Sequence, residues 1–419
     1  MSVENNFKQT EIGLIPEDWE VVRLGDVVEV KAGQSAPQGE KYFQNGKYPF
    51  IRVQHIDNSD YKIIGWDLIN DIAVKDYCLK LFPKDTIVFP KSGATVYLEK
   101  RAMLPFNAYI VSHLCAINSK SENLLQKFLF YFFVNQKLAN KKAEGYPTLN
   151  LSEIKGMLIP LPPLEEQRKI AKVLDKIQQA IEVQDKIIQQ VKNLKKSLMQ
   201  KLFTEGLYGE EQKETEIGLI PKSWEVVRLK DIAKIKLGRT PERKEKKYWE
   251  NGSIPWVKIS DLNNSVIYYT SENISNTAFK EKFKEEFIPK GTLLFSFKLT
   301  IGKVGILGID AVHHEGIASL FVKEDRANKK FLFYLLQSLN YDHLLDTYVK
   351  GKTLNKEKLS ILPIPLPPLE EQKQIAHILS TIDKKIEVEQ KRKEILKELF
   401  KTMLHKLMSG EIRLKDVEI

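Results

Sequence analysis

The chain has 419 residues, 42% of them hydrophobic, and its 65 Lys and Arg against 55 Asp and Glu leave a net charge of +10. This is material for two or three packed domains. It excludes wholesale disorder, and the densest apolar run, 128–134, is too short to span a bilayer. The two cysteines, Cys78 and Cys115, provide neither a disulfide framework nor a CxxC pair. With a start that lacks a basic and then apolar leader, they indicate a reducing, cytoplasmic setting.

In chain order, residues 20–24, 49–53, 86–89 and 109–117 are short apolar or alternating runs bounded by Gly, Pro and Asn, which predict strands and turns. Residues 128–133 predict an apolar helix of the core. A Pro-rich joint at 160–163 follows, and then residues 164–203 run without Gly or Pro, as a long helix must. The same order then recurs. Segment 10–27 returns as 215–232 with 14 of 18 positions identical, and 159–174 returns as 364–379 at the same offset of 205. Thr148-Leu149-Asn150 likewise matches Thr353-Leu354-Asn355. Two long copies indicate duplicated domains and exclude a solenoid of 20–50-residue units.

Between these anchors the copies diverge, although 41–50 still parallels 247–256 and 127–133 parallels 330–336. A shared frame with variable interiors fits two related modules with different targets. The second long helix is expected at Leu369–Met408. Apolar residues at Ile170, Val173, Ile177, Ala180, Ile187, Val191, Leu194 and Leu198 follow three- and four-residue steps, with Gln184 as the exception. In the second helix, Ile375, Ile378, Ile382, Leu396, Leu399 and Met403 do the same, interrupted by Lys385, Glu389 and Arg392. This spacing predicts a paired coiled coil, with each helix about 60 Å long. The competing arrangement folds each helix back onto its own domain.

No catalytic pattern emerges. The only Pro-Pro pairs stand in Leu-Pro-Pro-Leu, so the Asn/Asp-Pro-Pro-aromatic loop of an adenine methyltransferase is absent. Gly351-Lys352-Thr353 has Asp346 where a P-loop needs its first glycine. His313-His314-Glu315 lacks the further ligands of a metal site. Binding is therefore the expected function, and the basic balance points to an anionic partner. The two helices hold +6 of the +10, so DNA contacts by the globular parts require local clusters. Lys41, Arg52, Lys91, Lys100 and Arg101 are the candidates in the first copy. Arg239, Arg243, Lys244, Lys246, Lys247, Lys258, Lys298 and Lys303 are those in the second. Two loops per copy stand out for polarity and equivalent placement: 33–38 with 238–244, and 91–97 with 298–304. They add Gln34, Ser35, Ser92, Thr95, Thr240 and Thr300, with structural turns as the competing reading. Trp19 and Trp224 are expected to be core anchors at the domain entrances.

The duplicated G-x-I-P-x-x-W-E-V-V-x-L openings and I-P-L-P-P-L-x-E-Q-x-x-I-A joints resemble the specificity subunit of type I restriction-modification systems over essentially the whole chain. The resemblance implies an α+β architecture. Two globular α/β target-recognition domains, 1–158 and 207–363, are separated by conserved helices, 159–206 and 364–419, that pair as an antiparallel coiled coil with a pseudo-two-fold internal repeat. It implies a non-catalytic subunit whose domains each read one half of a split site in double-stranded DNA. Two modification subunits bringing S-adenosylmethionine, and restriction subunits bringing ATP and Mg, would join it, with no cofactor or metal on this chain. Helix pairing and subunit docking fall to Pro162, Pro163, Glu166, Gln167, Ile170 and Ile177, and to Pro367, Pro368, Glu371, Gln372, Ile375 and Ile382. Lys172, Lys176, Lys195, Lys196, Lys384, Lys385 and Lys391 are expected to face DNA or those subunits. The alternative function is a coiled-coil scaffold that binds only proteins.

Overall fold

The computed structural model describes residues 6–57, 60–138, 148–341 and 356–418. Thr353-Leu354-Asn355 and Gly351-Lys352-Thr353 lie outside them. The chain divides into two compact units: Met1–Gln184 with Arg392–Ile419, and Asp185–Lys391.

The first unit opens with a hairpin, Phe7–Thr10 and Gly13–Pro16, and then strand Glu20–Arg23 pairs antiparallel with Leu158–Leu161. Pro160 is tolerated there because each strand of this two-stranded ribbon has an unpaired edge where a missing N–H costs nothing. A four-stranded sheet follows in the order Val28–Ala32, Leu114–Ser119, Ile87–Pro90, Ala102–Met103. A smaller sheet places Tyr48–Ile51 between Asp67–Ile69 and Tyr109–Ile110. The second unit repeats the plan. Its larger sheet runs Ala233–Leu237, Ile317–Val322, Leu293–Ser296, Val304–Leu307 and then an additional parallel strand, Ser265–Ile267. Its smaller sheet places Ile254–Val257 between Glu272–Ile274 and Val312–His313. The run expected as one strand over 109–117 is two, Tyr109–Ile110 and Leu114–Ser119, because the turn between them carries the chain from one sheet to the other.

The apolar helices Gln126–Asn135 and Lys329–Ser338 are buried on almost every face, as expected of core elements. Their tyrosines reach the long helices: the Tyr131 hydroxyl donates to Asp175 at 2.5 Å, and that of Tyr334 to Asp383 at 2.7 Å. Trp19 and Trp224 are fully buried.

The long helices span Leu164–Glu205 and Leu369–Met408. Glu165, Glu166, Glu370 and Glu371 in their first turns complement the helix dipole. In the first unit, Glu166 at the start of one helix meets Arg413 and Leu414 just past the end of the other. In the second, Lys195 pairs with Asp383 at 2.6 Å, and Leu207 N–H donates to Glu371 at 2.8 Å. The pairing is therefore antiparallel within each unit. Helix segments also enter each domain core, since Ile170, Leu174, Ile181, Phe400 and Leu407 pack with Phe128 and Phe133. Pairing and folding back thus occur together.

The register of the buried stripe corrects the expected one. Buried or half-buried positions run Ile170, Leu174, Ile177, Ile181, Gln184, Ile188, Val191, Lys195, Leu198 and Leu202. The second helix repeats this at the same offset of 205: Ile375, Leu379, Ile382, Ile386, Glu389, Lys393, Leu396, Phe400, Met403 and Leu407. Leu194 and Leu399, expected on the seam, are 53% and 44% exposed. The apolar face is wider than two positions per heptad, so two overlapping series fit the spacing, and packing against the domains selects the one containing Leu174 and Ile181.

The joint motif owes its residue types to buried hydrogen bonds. Trp19 Nε1 donates to Glu166 Oε2 at 3.0 Å, and Trp224 Nε1 to Glu371 Oε2 at 3.1 Å. Gln167 Nε2 donates to the carbonyls of Asn123 and Pro162, both at 2.8 Å, while its Oε1 accepts from Leu125 N–H at 2.9 Å. Gln372 repeats this with Arg326, Pro367 and Asn328. A glutamine supplies donors and an acceptor at one tip, so it satisfies three backbone groups where the chain turns from domain to helix.

In the first unit alone, Arg413 clamps Glu166 through Nε and an Nη, both at 2.8 Å, and also reaches Asp18, whose carboxyl it holds below the usual range. Glu166 is 1% exposed and Arg413 7%. Arg413→Ala leaves that carboxylate buried without its cation, so it is expected to destabilise the first unit by about 3 kcal/mol. Urea unfolding with hydrogen exchange of the two tryptophan indoles checks this: Trp19 loses protection and Trp224 does not.

His313 is buried beside the larger sheet of the second unit. Its Nδ1–H donates to the His314 carbonyl at 3.2 Å, and its Nε2 accepts from the Ser319 hydroxyl at 2.5 Å. Burial lowers its pKa to about 4. The folded protein thus keeps it neutral where the unfolded chain, titrating near 6.5, already binds a proton. The associated stability is complete above pH 6.5 and is lost as the pH falls toward 4, by about 3 kcal/mol. Urea midpoints of wild type and His313→Gln at pH 7.5 and 4.5 test it; equal losses in both proteins would refute the assignment.

Candidate nucleic-acid interface

In the first unit, loop 33–38 leaves strand Val28–Ala32 and is held by a third loop, 111–114. Gln34 N–H donates to the Ile110 carbonyl at 3.1 Å, and Ser112 N–H to the Gln34 carbonyl at 2.7 Å. Gly33 is required here, since a Cβ would stand 2.3 Å from the carbonyl oxygens of Ile110 and Val111. Loop 91–97 joins the same point: Lys91 N–H donates to the His113 carbonyl at 2.9 Å, and Ser92 Oγ meets His113 Nδ1 at 2.8 Å. Thr148 bridges to Ser92, and Leu149 N–H donates to the Lys91 carbonyl at 2.7 Å. The first Thr-Leu-Asn triplet is therefore a brace for this loop.

The second unit builds the same edge from different residues. Arg239 N–H donates to the His313 carbonyl at 3.0 Å, Glu315 N–H approaches Thr240 Oγ1 at 3.5 Å, and Phe297 N–H donates to the Gly316 carbonyl at 2.9 Å. A Cβ on Gly238 would stand 2.2 Å from the His313 oxygen, which repeats the Gly33 constraint. Loops 238–244 and 298–304 therefore converge on 313–316, as 33–38 and 91–97 converge on 111–114. Sequence reading missed this third loop. Its signal was present in His313-His314, which was weighed only as a metal site, and in His113, which was not singled out. Among the described residues, no group of three or more His, Cys, Asp or Glu is placed to hold a metal ion.

The structure sorts the expected cations. Gln34, Ser35, Lys91, Ser92 and Thr95 lie on the first edge, with Thr95 Oγ1 donating to the Ser92 carbonyl at 3.2 Å. Arg52 adjoins it, ion-paired with Asp67 and 5.5 Å over the Phe50 ring. Lys41 belongs to another neighbourhood, where Asn70 holds its carbonyl. Lys100 and Arg101 leave the candidate set because both are buried. Lys100 donates to the carbonyls of Val53 and Ile56, and Arg101 to those of Lys100 and Phe133.

On the second edge, Arg243 stacks 3.9 Å from the Trp249 ring centroid. Arg243 and Lys258 share one carboxylate, Glu272, at 2.6 and 2.8 Å. Burial pushes that carboxyl upward, but the two cations hold it below its usual value. Two cations on one carboxylate leave one positive charge over, in a pre-positioned site suited to phosphate. Arg239 donates to the Lys282 carbonyl at 2.8 Å. Lys246 and Lys247 face Glu250 and Glu281. Lys91, Lys244, Lys298 and Lys303 have no ion pair among the described residues. Thr300 gives its carbonyl to Ser296, and Lys303 gives that serine its N–H.

The joint residues mostly face inward. Pro162, Pro367, Glu166, Glu371, Gln167, Gln372, Ile170 and Ile375 are buried, Ile177 and Ile382 are half-buried, and Pro163 and Pro368 are exposed.

Two stretches, 16–193 and 221–398, match the model of the type I restriction modification DNA specificity domain. The putative type I restriction enzyme MjaX specificity subunit of Methanocaldococcus jannaschii is 30% identical over 98% of both chains, and the MjaVIII specificity subunit of the same organism is 30% identical over 99% of this chain and 97% of its own. Among solved structures, a chain of a type I R-M system covers 95% of this chain and 99% of its own at TM-score 0.62 and 21% identity. The type I system S subunit of M. genitalium covers 97% and 98% at TM-score 0.54 and 16% identity. No described helix is long and apolar enough to cross a membrane. The protein-only scaffold does not fit these matches. This chain belongs to the family of type I restriction-modification specificity subunits, whose part is DNA recognition and not catalysis.

Proposed function

We propose that each unit reads one half of a bipartite site in double-stranded DNA through its three-loop edge, and that the helices set the spacing between the halves and dock two modification subunits. The observation that carries this reading is the contrast within the repeat. The frame is identical at most positions, while the edges present Gln34, Ser35, Lys91, Ser92 and Thr95 in one unit and Arg239, Thr240, Arg243, Lys244, Lys258, Lys298, Thr300 and Lys303 in the other. Shared frames fit a partner present twice; different edges fit different base sequences. A helix of 42 residues is about 60 Å long, roughly 17 base pairs of duplex. The exposed lysines of the helices suit either the intervening DNA or the partner subunits. S-adenosylmethionine, ATP and Mg would be held by the modification and restriction subunits. Two free cysteines suit the reducing cytoplasm.

Modified-base sequencing of cells expressing this gene with its neighbouring modification gene, against that gene alone, is expected to show one new split motif containing N6-methyladenine. No new motif, with both proteins well expressed, would refute the reading. On the cognate duplex, Lys298→Ala is expected to weaken binding and reduce the salt slope by about 1, as loss of one phosphate contact does. Arg239→Ala is expected to cost about 10-fold or more in affinity at one half-site only. Unchanged affinity and slope for both variants would remove these loops from the interface.

A further inference from the structure

Strand Leu293–Ser296 turns into Val304–Leu307 through a hairpin whose tip is built to hold one apolar side chain outward. Ser296, itself fully buried, closes the loop from inside: its hydroxyl donates to the Thr300 carbonyl at 2.5 Å and accepts from Lys303 N–H at 2.9 Å, and its carbonyl accepts from Gly302 N–H at 3.1 Å. Ile301 packs inward against the core. Leu299 does the opposite. It is 67% exposed and stands at φ +64°, a left-handed conformation that a bulky residue without hydrogen-bonding side-chain groups adopts at a cost. A leucine held outward under strain on an internally braced loop is a feature to be explained by what it meets.

The first unit has an apolar tip at the equivalent hairpin, between Ile87–Pro90 and Ala102–Met103. There Val96 is buried, while Tyr97 and Leu98 are 58% and 50% exposed. The two tips share no sequence, yet both turn large apolar side chains outward beside lysines of the same edge that have no ion pair among the described residues, Lys298 and Lys303 in one and Lys91 in the other.

We propose that Leu299 in the second unit and Tyr97 in the first are wedges that insert at a base step of the bound duplex, unstacking it while the flanking lysines hold the phosphates. This rests on the reading that the three-loop edges face DNA. A protein common to both units would need like surfaces, whereas these tips differ in sequence, length and backbone. Lysines on either side of the apolar tip in the second unit, and Lys91 before it in the first, match a stacked, phosphate-flanked partner. A wedge also supplies specificity without a base-edge hydrogen bond, because pyrimidine–purine steps unstack most easily.

The test uses the full chain assembled with its modification subunit and duplexes enriched by that complex from a random-sequence pool, with 2-aminopurine placed at successive positions of each half-site. Wild type is expected to raise fluorescence at one step of each half-site other than the modified base. Leu299→Ser should abolish the rise in one half-site only and weaken binding about 10-fold, with an unchanged salt slope because no cation is lost. Tyr97→Ser should do the same in the other half-site. Leu299→Gly accepts the left-handed conformation without strain, so it should keep or raise Tm while still losing the signal, which separates wedging from folding. A rise that survives Leu299→Ser and Leu299→Gly would overturn the proposal. So would loss of the modification subunit from the Leu299→Ser complex, which would make the tip a protein contact. Failure of the pool to enrich any site would instead overturn the underlying reading of DNA recognition.

Discussion

A buried carboxylate that accepts a tryptophan N–H holds each unit together. Glu166 and Glu371 stand in the first turn of a long helix, and Trp19 and Trp224 stand at the entrance of a domain, 147 residues earlier in both cases. Placing an acid in a helix N-terminal turn is favourable in itself. Burying it is not, unless every lone pair finds a donor. The tryptophan supplies one donor, and the segment beyond the partner helix supplies the rest: Leu207 N–H in the second unit, Leu414 N–H with Arg413 in the first. One residue therefore fastens helix, domain and the following segment, and the adjoining glutamine ties the joint to the core helix. The directions of the domains and helices depend on this node.

The same comparison shows how a duplicated chain closes. In the second unit, the segment that completes the node is the continuation of the first long helix, through Gly206 at φ +71°. In the first unit it is the segment after the second long helix, through Gly410 at φ +75°. Both glycines press on a proline and a tryptophan of the opening motif, where a Cβ would crowd Pro221 or Pro16. Arg413 adds to this segment a cation on the buried carboxylate, where the segment after the first long helix brings a backbone N–H.

Much of this frame was legible in the sequence because duplication marks what each module must keep. Four strand-bearing runs of the first copy, the core helices, joint and long helices, and the burial of both tryptophans, follow from the spacing and sequence of the copies. Two things were not legible. The stripe register was ambiguous because Leu174, Ile181 and Ile188 make the helices apolar over more than a two-position seam, and only contact with Phe128 and its neighbours chooses among the alternatives. The edge was half legible. Loops 33–38 and 91–97 announce themselves by polarity, but the loop that joins them, 111–114, is Val-Ser-His-Leu, half apolar and flanked by strands. Its role is carried by backbone groups, and backbone hydrogen bonds leave little trace in side-chain composition.

Charge was legible only as a total. Lys100 and Arg101 look in sequence like any surface pair, yet both spend their donors on internal carbonyls, while Arg243 and Lys258 converge on Glu272 from positions 15 residues apart. What decides whether a cation can meet phosphate is how much of its charge is already neutralised and how well it is positioned. A lone flexible lysine brings charge without direction. A stacked arginine sharing a carboxylate brings direction and still leaves net charge. The second edge carries both kinds within three loops, so unspecific attraction and oriented contact are separable on its surface. The loops that carry these cations differ between the two units, while the carboxylate–tryptophan node is the same in both.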